Sequence, residues 1–431
     1  MEIEAPRRSP SPPPPDAAAV AAAAAAAVSS VLGDDDLLRE ILLRVGLPTS
    51  LLRGALVCRR WYGHASDPAF LRRFRDRHPP RVLGVYLDAA AGGSSQRPRF
   101  HPIRPVPELA AAARRAASFF DAFRGSSASI LDSRGGRLLV SAFDDRYEST
   151  QFVCSPLSPA ADTVVVPPPP PPPPTELTSN EECIIYHYGE LLPDDGDARS
   201  SYFCVVMGYS EQQTTVHQYE LHDMYWVVRA SAAAQLPVSP PKSRVMLFDN
   251  TKFYMLSATN KILVCDFASS SISAMELPSG VANEHTGSIM LSRGDGCGIY
   301  LISVKEPQLH MFFCKVGGNN ASNWLLVDTI CLDEVCLNLG MTSCAFVDGQ
   351  SAGVKIRAVG DNVKFVILEM FGAIVFLDMT SRQAEKVYEM MPEDPEFVRI
   401  HPLMLIWPPV FPRLKEECDE NWFKNAAKKP D

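Results

Sequence analysis

The residues that could do chemistry in this sequence are scattered. Nine histidines and eleven cysteines are present, but no HExxH pair, nucleophile elbow, phosphate loop or paired-carboxylate arrangement occurs. Cys331 and Cys336 have no histidine ligands beside them, and no CxxC pair exists. Reduced, buried thiols of a cytoplasmic or nuclear protein are therefore expected, rather than zinc or disulfides. Arg293-Gly294-Asp295-Gly296 reads as a tight turn, because no helix pattern follows to present a phosphate site. Asp194, Asp195 and Asp197 form an acidic loop without the ligand register of a calcium-binding hand. His217 and His222 are expected near strand ends, facing solvent or satisfied by neighbours. The arginines from Arg72 to Arg77 read as a solvated helix face. The expectation is a non-catalytic protein without metal or cofactor.

The elements that carry these residues divide the chain sharply. With 431 residues, 46% hydrophobic and 21% charged, the chain is large enough for two or three domains. A net charge of −9 disfavours nucleic acid as a partner, since counterion release needs a basic surface. No apolar run reaches the length of a membrane span. Residues 1–31 are rich in Pro, Ser and Ala and read as a disordered tail. A signal peptide is the lesser alternative for the Ala tract, which lacks a basic region before it.

Between Leu32 and His78 the pattern is helical. Asp34 to Asp36 can cap a helix, along which Leu37, Leu38, Ile41, Leu42 and Val45 form an apolar stripe. Gly46 ends it and Pro48 sits in the turn. A second helix carries Leu51, Leu52, Ala55 and Leu56. A third holds Val57, Cys58 and Trp61, with Arg59 and Arg60 pointing away. Asp67-Pro68 starts a fourth, whose Phe70, Leu71 and Phe74 face inward. A unit this small cannot bury all these apolar groups within itself. They either pack on the rest of the chain or form a partner site.

DLLREILLRV (36–45), Leu47-Pro48 and LVCRRWYGHASDPAFLRRF (56–74) occur in order, and together this stretch resembles an F-box. That resemblance implies docking on the Skp-type adaptor, and through it on the cullin, of a ubiquitin ligase. It assigns adaptor binding to Leu37, Ile41, Leu42, Leu47, Pro48, Leu51, Val57, Cys58 and Trp61. The chain departs from the family at Leu32-Gly33, where many F-boxes have Leu-Pro. Gly33 lacks proline's fixed φ, so a less pre-organised turn is expected there.

Residues 79–130 read as a connecting segment with a short strand at Val82–Leu87 and an Ala-rich helix near 107–117. From 131 to 412 short β-branched and aromatic runs alternate with turn residues. Residues 248–278 and 365–390 have the same shape, each with a strand ending in an aspartate, Asp266 or Asp378. Their separation spans two repeats, each somewhat longer than the ~40–50 residues of a propeller blade. The body is thus expected to be a β-propeller of four-stranded blades, with an irregular β-sandwich as the alternative. DSRGGRLLVS (132–141) and FVCSPLS (152–158) are similar to the opening of the β-propeller domain that accompanies plant F-boxes. Pro167 to Pro174 must lie on the surface as polyproline II, because proline donates no ladder hydrogen bond. It is either an unconstrained loop or a ligand for SH3- or WW-like domains. Residues 413–431 read as a polar tail.

The fold class expected is therefore α+β multidomain, a small helical F-box before a large all-β body. Three functions follow: a substrate receptor holding a protein target on the β body, a sugar- or small-molecule-binding propeller, or a scaffold outside a ligase.

Overall fold

The computed structural model describes residues 17–405 and Phe411, apart from 47, 79–80, 90–96, 124–126, 144–148, 159–162, 169–181, 191–200, 210–213, 236–245, 250, 258–259, 283–286, 295–297, 306, 316–322, 342–353, 392–393 and 395–396. The acidic loop at Asp194–Asp197, most of the proline run and the 413–431 tail lie outside them. The chain forms two compact units. One comprises residues 1–80 with 406–431, and the other Arg81–Leu405.

The smaller unit is helical: α1 (Ala17–Gly33), α2 (Asp35–Leu43), α3 (Pro48–Ala55), α4 (Arg59–Ser66) and α5 (Pro68–Arg77). Of the tail expected to be disordered, residues 1–16 lie outside the described residues, and the rest lies in α1, which begins at Ala17. Alanine has the highest helix propensity of the residues, and a long alanine tract needs no amphipathic face to coil. Asp34 caps α2 by accepting from the backbone N–H groups of Asp36 (2.9 Å) and Leu37 (3.0 Å). Asp67 caps α5 by accepting from Ala69 N at 3.2 Å, with Pro68 in the first turn. Leu38, Leu42, Leu51, Ala55, Ala65, Phe70 and Phe74 are buried.

The larger unit is all-β apart from short helical segments. Its first sheet joins β1 (Arg81–Ala89), β2 (Arg99–Pro102) and the last strand, β23 (Phe397–Leu405), in the order β2-β1-β23. Helix α6 (Ala110–Ser118) and a 3-10 turn at Phe119–Phe123 follow β2. Five four-stranded antiparallel sheets come next. The first has β3 (Ser127–Arg134), β4 (Arg137–Phe143), β5 (Ser149–Cys154) and β6 (Val164–Val166). The second has β7 (Glu182–Glu190), β8 (Ser201–Tyr209), β9 (Thr214–His222) and β10 (Tyr225–Ala234). The third has β11 (Met246–Asp249), β12 (Lys252–Leu256), β13 (Lys261–Asp266) and β14 (Ser271–Glu276). The fourth has β15 (Ile289–Gly294), β16 (Gly298–Lys305), β17 (Gln308–Lys315) and β18 (Leu325–Cys331). The fifth has β19 (Lys355–Val359), β20 (Phe365–Met370), β21 (Ala373–Asp378) and β22 (Ala384–Glu389).

The hydrophobic clusters show how these sheets close. Those that bridge two sheets link neighbouring ones. Leu139 and Val166 pack with Tyr202, Val205 and Met207 with Phe253 and Leu263, Tyr254 and Ile262 with Ile289 and Leu301, and Ile302 and Leu309 with Val366 and Leu368. Ile367 and Phe376 of the last four-stranded sheet then pack on Val85, Leu87 and Ile400 of the first. Tyr86, Phe100 and Leu403 of that sheet pack on Ile130 and Val140. Among the described residues every sheet has two neighbours, so these six sheets form a closed ring of blades. The leading strands meet around its middle, β11 beside β15, β15 beside β19, β19 beside β23 and β23 beside β3. This is a β-propeller, as expected, and not a sandwich.

The compact β unit begins at Arg81, ahead of residue 131. The segment 79–130 supplies two strands of the closing blade, which only the C-terminal strand completes. Arg81 pairs with Leu405 and Tyr86 with His401. Pro402 is tolerated in β23 because that strand is at the sheet edge. Gly84 is required in β1, since a Cβ there would collide with the His101 carbonyl oxygen and the Phe100 ring.

The repeat read from Asp266 and Asp378 is physical. Asp266 Oδ1 accepts from Ala268 N (3.0 Å) and Ser269 N (3.3 Å), and Asp378 Oδ1 from Thr380 N (2.9 Å) and Ser381 N (2.8 Å). Four residues after each aspartate the chain turns left-handed, at Ser270 (φ 51°) and Arg382 (φ 59°). The aspartates close the same hairpin in two blades. His217 lies within β9, buried, with Nδ1 2.8 Å from Ser231 Oγ, while His222 is exposed beside Glu220.

Candidate adaptor-binding site

The apolar residues of the helical unit fall into two sets. In α2, Leu38, Leu42 and Leu43 are buried, whereas Leu37 and Ile41, one helical turn apart, are 47% and 37% exposed. The single stripe read from the sequence is thus two adjacent rows, a core row and a surface row. Val57 is 62% exposed in the turn between α3 and α4, and Cys58 is half-buried as the residue before α4. Leu51 is buried and Trp61 half-buried. Leu47 lies outside the described residues, and Pro48 opens α3.

Two of the assigned residues meet around a glycine. A Cβ on Gly54 of α3 would lie 3.1 Å from Leu42 Cδ2 and 3.7 Å from Trp61 Cε3. Gly54 thus lets α3 close onto α2 and α4. Leu42 and Leu51 therefore act from inside the unit, supporting a surface they do not form. Leu52 of α3 and Leu56 just after it, 37% and 45% exposed, belong with the surface set. Their i, i+4 spacing was the available signal.

A polar cluster organises the start of α2. Arg60 does not point away. Its Nη1 and Nη2 donate to the carbonyl oxygens of Leu32 (2.7 Å) and Gly33 (2.8 Å), and its Nε to Asp35 Oδ1 (2.7 Å). The guanidinium thus caps the C-terminus of α1, where unsatisfied carbonyls favour a cation. His64 Nε2 lies 2.9 Å from the same carboxylate oxygen, and its Nδ1 accepts from Arg39 Nε at 3.0 Å. The bonds from His64 and Arg60 hold the Asp35 carboxyl below its ordinary range. The proline missing at position 33 is therefore replaced by Arg60 and the Asp34 cap, which fix the turn instead.

Elsewhere in this unit Phe411 packs edge-on against Tyr62, centroids 5.6 Å apart, and His78 Nε2 sits 2.7 Å from the Leu43 carbonyl. Among the described residues no cluster of three His, Cys, Asp or Glu could hold a metal, each cysteine is a free thiol, and no helix is long and apolar enough to cross a membrane.

Comparison with known proteins gives two family matches. Residues 35–77 match the family described as F-box-like, which covers α2 to α5. Residues 129–411 match the family described as F-box protein AT5G49610-like, beta-propeller. No curated protein matches the chain. Similar solved structures include the fission yeast SREBP–SCAP binding domains, 12% identical, with 70% of this chain and 69% of that one covered and a TM-score of 0.26. TolB from Acinetobacter baumannii is 9% identical, with 65% and 73% covered and a TM-score of 0.30. The fucose-specific lectin from Aleuria aurantia is 11% identical, with 66% and 79% covered and a TM-score of 0.27. Likenesses this distant carry no functional argument. The propeller match spans most of the chain and the F-box-like match precedes it, so this chain belongs to the AT5G49610-like F-box proteins with a β-propeller domain.

Proposed function

We propose that the chain is the substrate-receptor subunit of a Skp–cullin–F-box ubiquitin ligase. The F-box docks the Skp-type adaptor, and through it the cullin, while the propeller holds a protein target. The observation that carries this reading is the surface row of Leu37, Ile41 and Val57, exposed on a helical unit that buries Leu38, Leu42, Leu51, Phe70 and Phe74. Apolar side chains left outside a formed core are the anchors a partner would bury. The chain does no bond chemistry in this role. It raises the effective concentration of the target near the charged ubiquitin carrier, in the cytoplasm or nucleus.

Capture of the purified adaptor tests it. Leu37→Asp with Val57→Asp should weaken capture at least tenfold and leave the thermal midpoint unchanged, because both side chains are exposed. Leu51→Ala should instead cost about 2–5 kcal/mol of stability, as expected for a fully buried leucine. Equal capture by wild type and the folded double variant would remove the docking assignment. A target whose level does not rise when the proteasome is inhibited would point to a scaffold role.

A further inference from the structure

The propeller carries a cleft that nothing above uses. It lies between the α6 end, with its 3-10 turn, and the outer strands β5 and β6, and its volume is about 660 Å³. Phe119, Phe123, Phe152, Leu157 and Val165 line it. Phe123 and Phe152 stack nearly parallel, centroids 5.4 Å apart at 8°, and Phe119 is held from behind by Phe120 at 4.9 Å. The aromatic wall is therefore pre-formed. The Cys154 thiol on the floor is pushed up to about 12 by burial, so the floor is neutral. Among the described residues of the lining, Arg115, exposed on α6, is the one charged residue and none is a carboxylate.

Two features say what fits. Its volume lies within the ~300–1,000 Å³ range of ligand sites and exceeds the needs of one small side chain. It also runs along β6, the outer strand of its sheet, where Val164 and Val165 are 39% and 50% exposed. Among the described residues no strand pairs with the far edge of β6. An extended chain can add to such an edge by backbone hydrogen bonds while dropping alternate side chains into a neighbouring pocket. A free small molecule has no use for that edge.

We propose that this cleft takes an extended segment of a partner protein, with a bulky apolar side chain packed against the wall formed by Phe119, Phe123 and Phe152 and an adjacent carboxylate on Arg115. The proposal rests on the reading of the propeller as the target-holding domain, and it places the target on the outer side of the second blade in chain order.

The test uses the full chain and a fluorescein-labelled hexapeptide with Phe-Leu between glutamates. Two controls carry lysines in place of the glutamates, or Ala-Ala in place of Phe-Leu. The acidic apolar probe should bind at least tenfold more tightly than either control by fluorescence anisotropy. Ala122→Trp fills the cleft from an exposed position and should weaken binding at least tenfold without shifting the thermal midpoint. Arg115→Glu should abolish the preference for glutamate over lysine. Failure of all three peptides to bind at millimolar concentration overturns the proposal. So does binding that both variants leave unchanged, or a cleft that takes dodecanoate but no peptide. Adaptor capture by the same two variants should equal wild type, so a failed ligase reading shows separately, through the Leu37 and Val57 variants.

Discussion

Replacing Asp88 with Asn should reshape the pH dependence of propeller stability. Asp88, on β1 of the closing blade, is 5% exposed, and its carboxylate accepts from the backbone N–H of Ile130 on the next blade at 3.0 Å. Burial pushes its pKa up from 3.8 to about 6. The folded state then holds a proton that the unfolded chain releases between about pH 4 and 6, so this group's contribution to stability falls as pH rises through that window. At 1.36 kcal/mol per pH unit the loss is roughly 3 kcal/mol. His401, on β23, works the other way. It is buried beside the same Ile130, its Nε2 has no hydrogen-bond partner, and burial lowers its pKa from 6.5 to about 4. Its folded form stays neutral where the unfolded chain is protonated, so its contribution grows by roughly 3 kcal/mol between about pH 4 and 6.5. These two contributions therefore nearly cancel across this window. Asp88→Asn keeps an acceptor for Ile130 but cannot titrate, which leaves the His401 slope exposed. Urea denaturation at pH 4, 5, 6 and 7, followed by tryptophan fluorescence, reads both. The variant should gain on wild type by roughly 3 kcal/mol from pH 4 to pH 7, whatever its offset at one pH. A difference that does not change with pH would refute the reasoning.

Three other outcomes are expected. Gly84→Ala should lower the thermal midpoint of the propeller sharply, because its Cβ meets the backbone of β2 and a ring that cannot move aside; a midpoint equal to wild type would mean that β2 yields. Asp266→Ala and Asp378→Ala should each cost about 1 kcal/mol through the lost hairpin hydrogen bonds, and their costs should add in the double variant within about 0.5 kcal/mol, since they sit in separate blades. Arg60→Ala should release the α1 carbonyls and the Asp35 carboxylate, and circular dichroism should show lost helix with no change in the propeller's unfolding.

The two hairpins closed by Asp266 and Asp378 were legible because their strands are apolar on both faces and their turns are marked by Asp-x-x-Ser or Asp-x-Thr-Ser-like chemistry. The strands that escaped notice are mostly the leading ones. Ser127–Arg134, Ile289–Gly294, Lys355–Val359 and Phe397–Leu405 carry Asp132, Arg134, Arg293, Arg357, Arg399 and Pro402 among their residues. Polar side chains on these strands make ties rather than apolar packing, between blades where Arg399 Nη1 donates to the Ile130 carbonyl (3.0 Å) and Ser292 Oγ to that of Gly360 (2.7 Å), and within one blade where Arg357 Nε donates to Glu369 Oε2 (2.7 Å). Alternation rules tuned to one apolar face cannot see them. The helical unit was legible as helices, but which residues face outward was not. A stripe of five apolar positions on α2 is wider than the core it meets, and only packing separates Leu38 and Leu42 from Leu37 and Ile41.

The pairing of Arg81 with Leu405 has a consequence for how the protein is made. β1 leaves the ribosome directly after the F-box helices, yet its inner partner is the last strand of the propeller to be synthesised. At 5–20 residues per second the first strand waits roughly 15–60 s for it. During that time the apolar residues of β1 that face Ile367 and Ile400 have no native cover. The F-box helices need no such delay, since their contacts are local and helical units of this kind form early. A nascent chain would thus present its F-box helices well before the ring can close. A message truncated before Phe397 would produce F-box helices attached to an unclosed propeller, which under the proposed function would occupy the adaptor without holding a target.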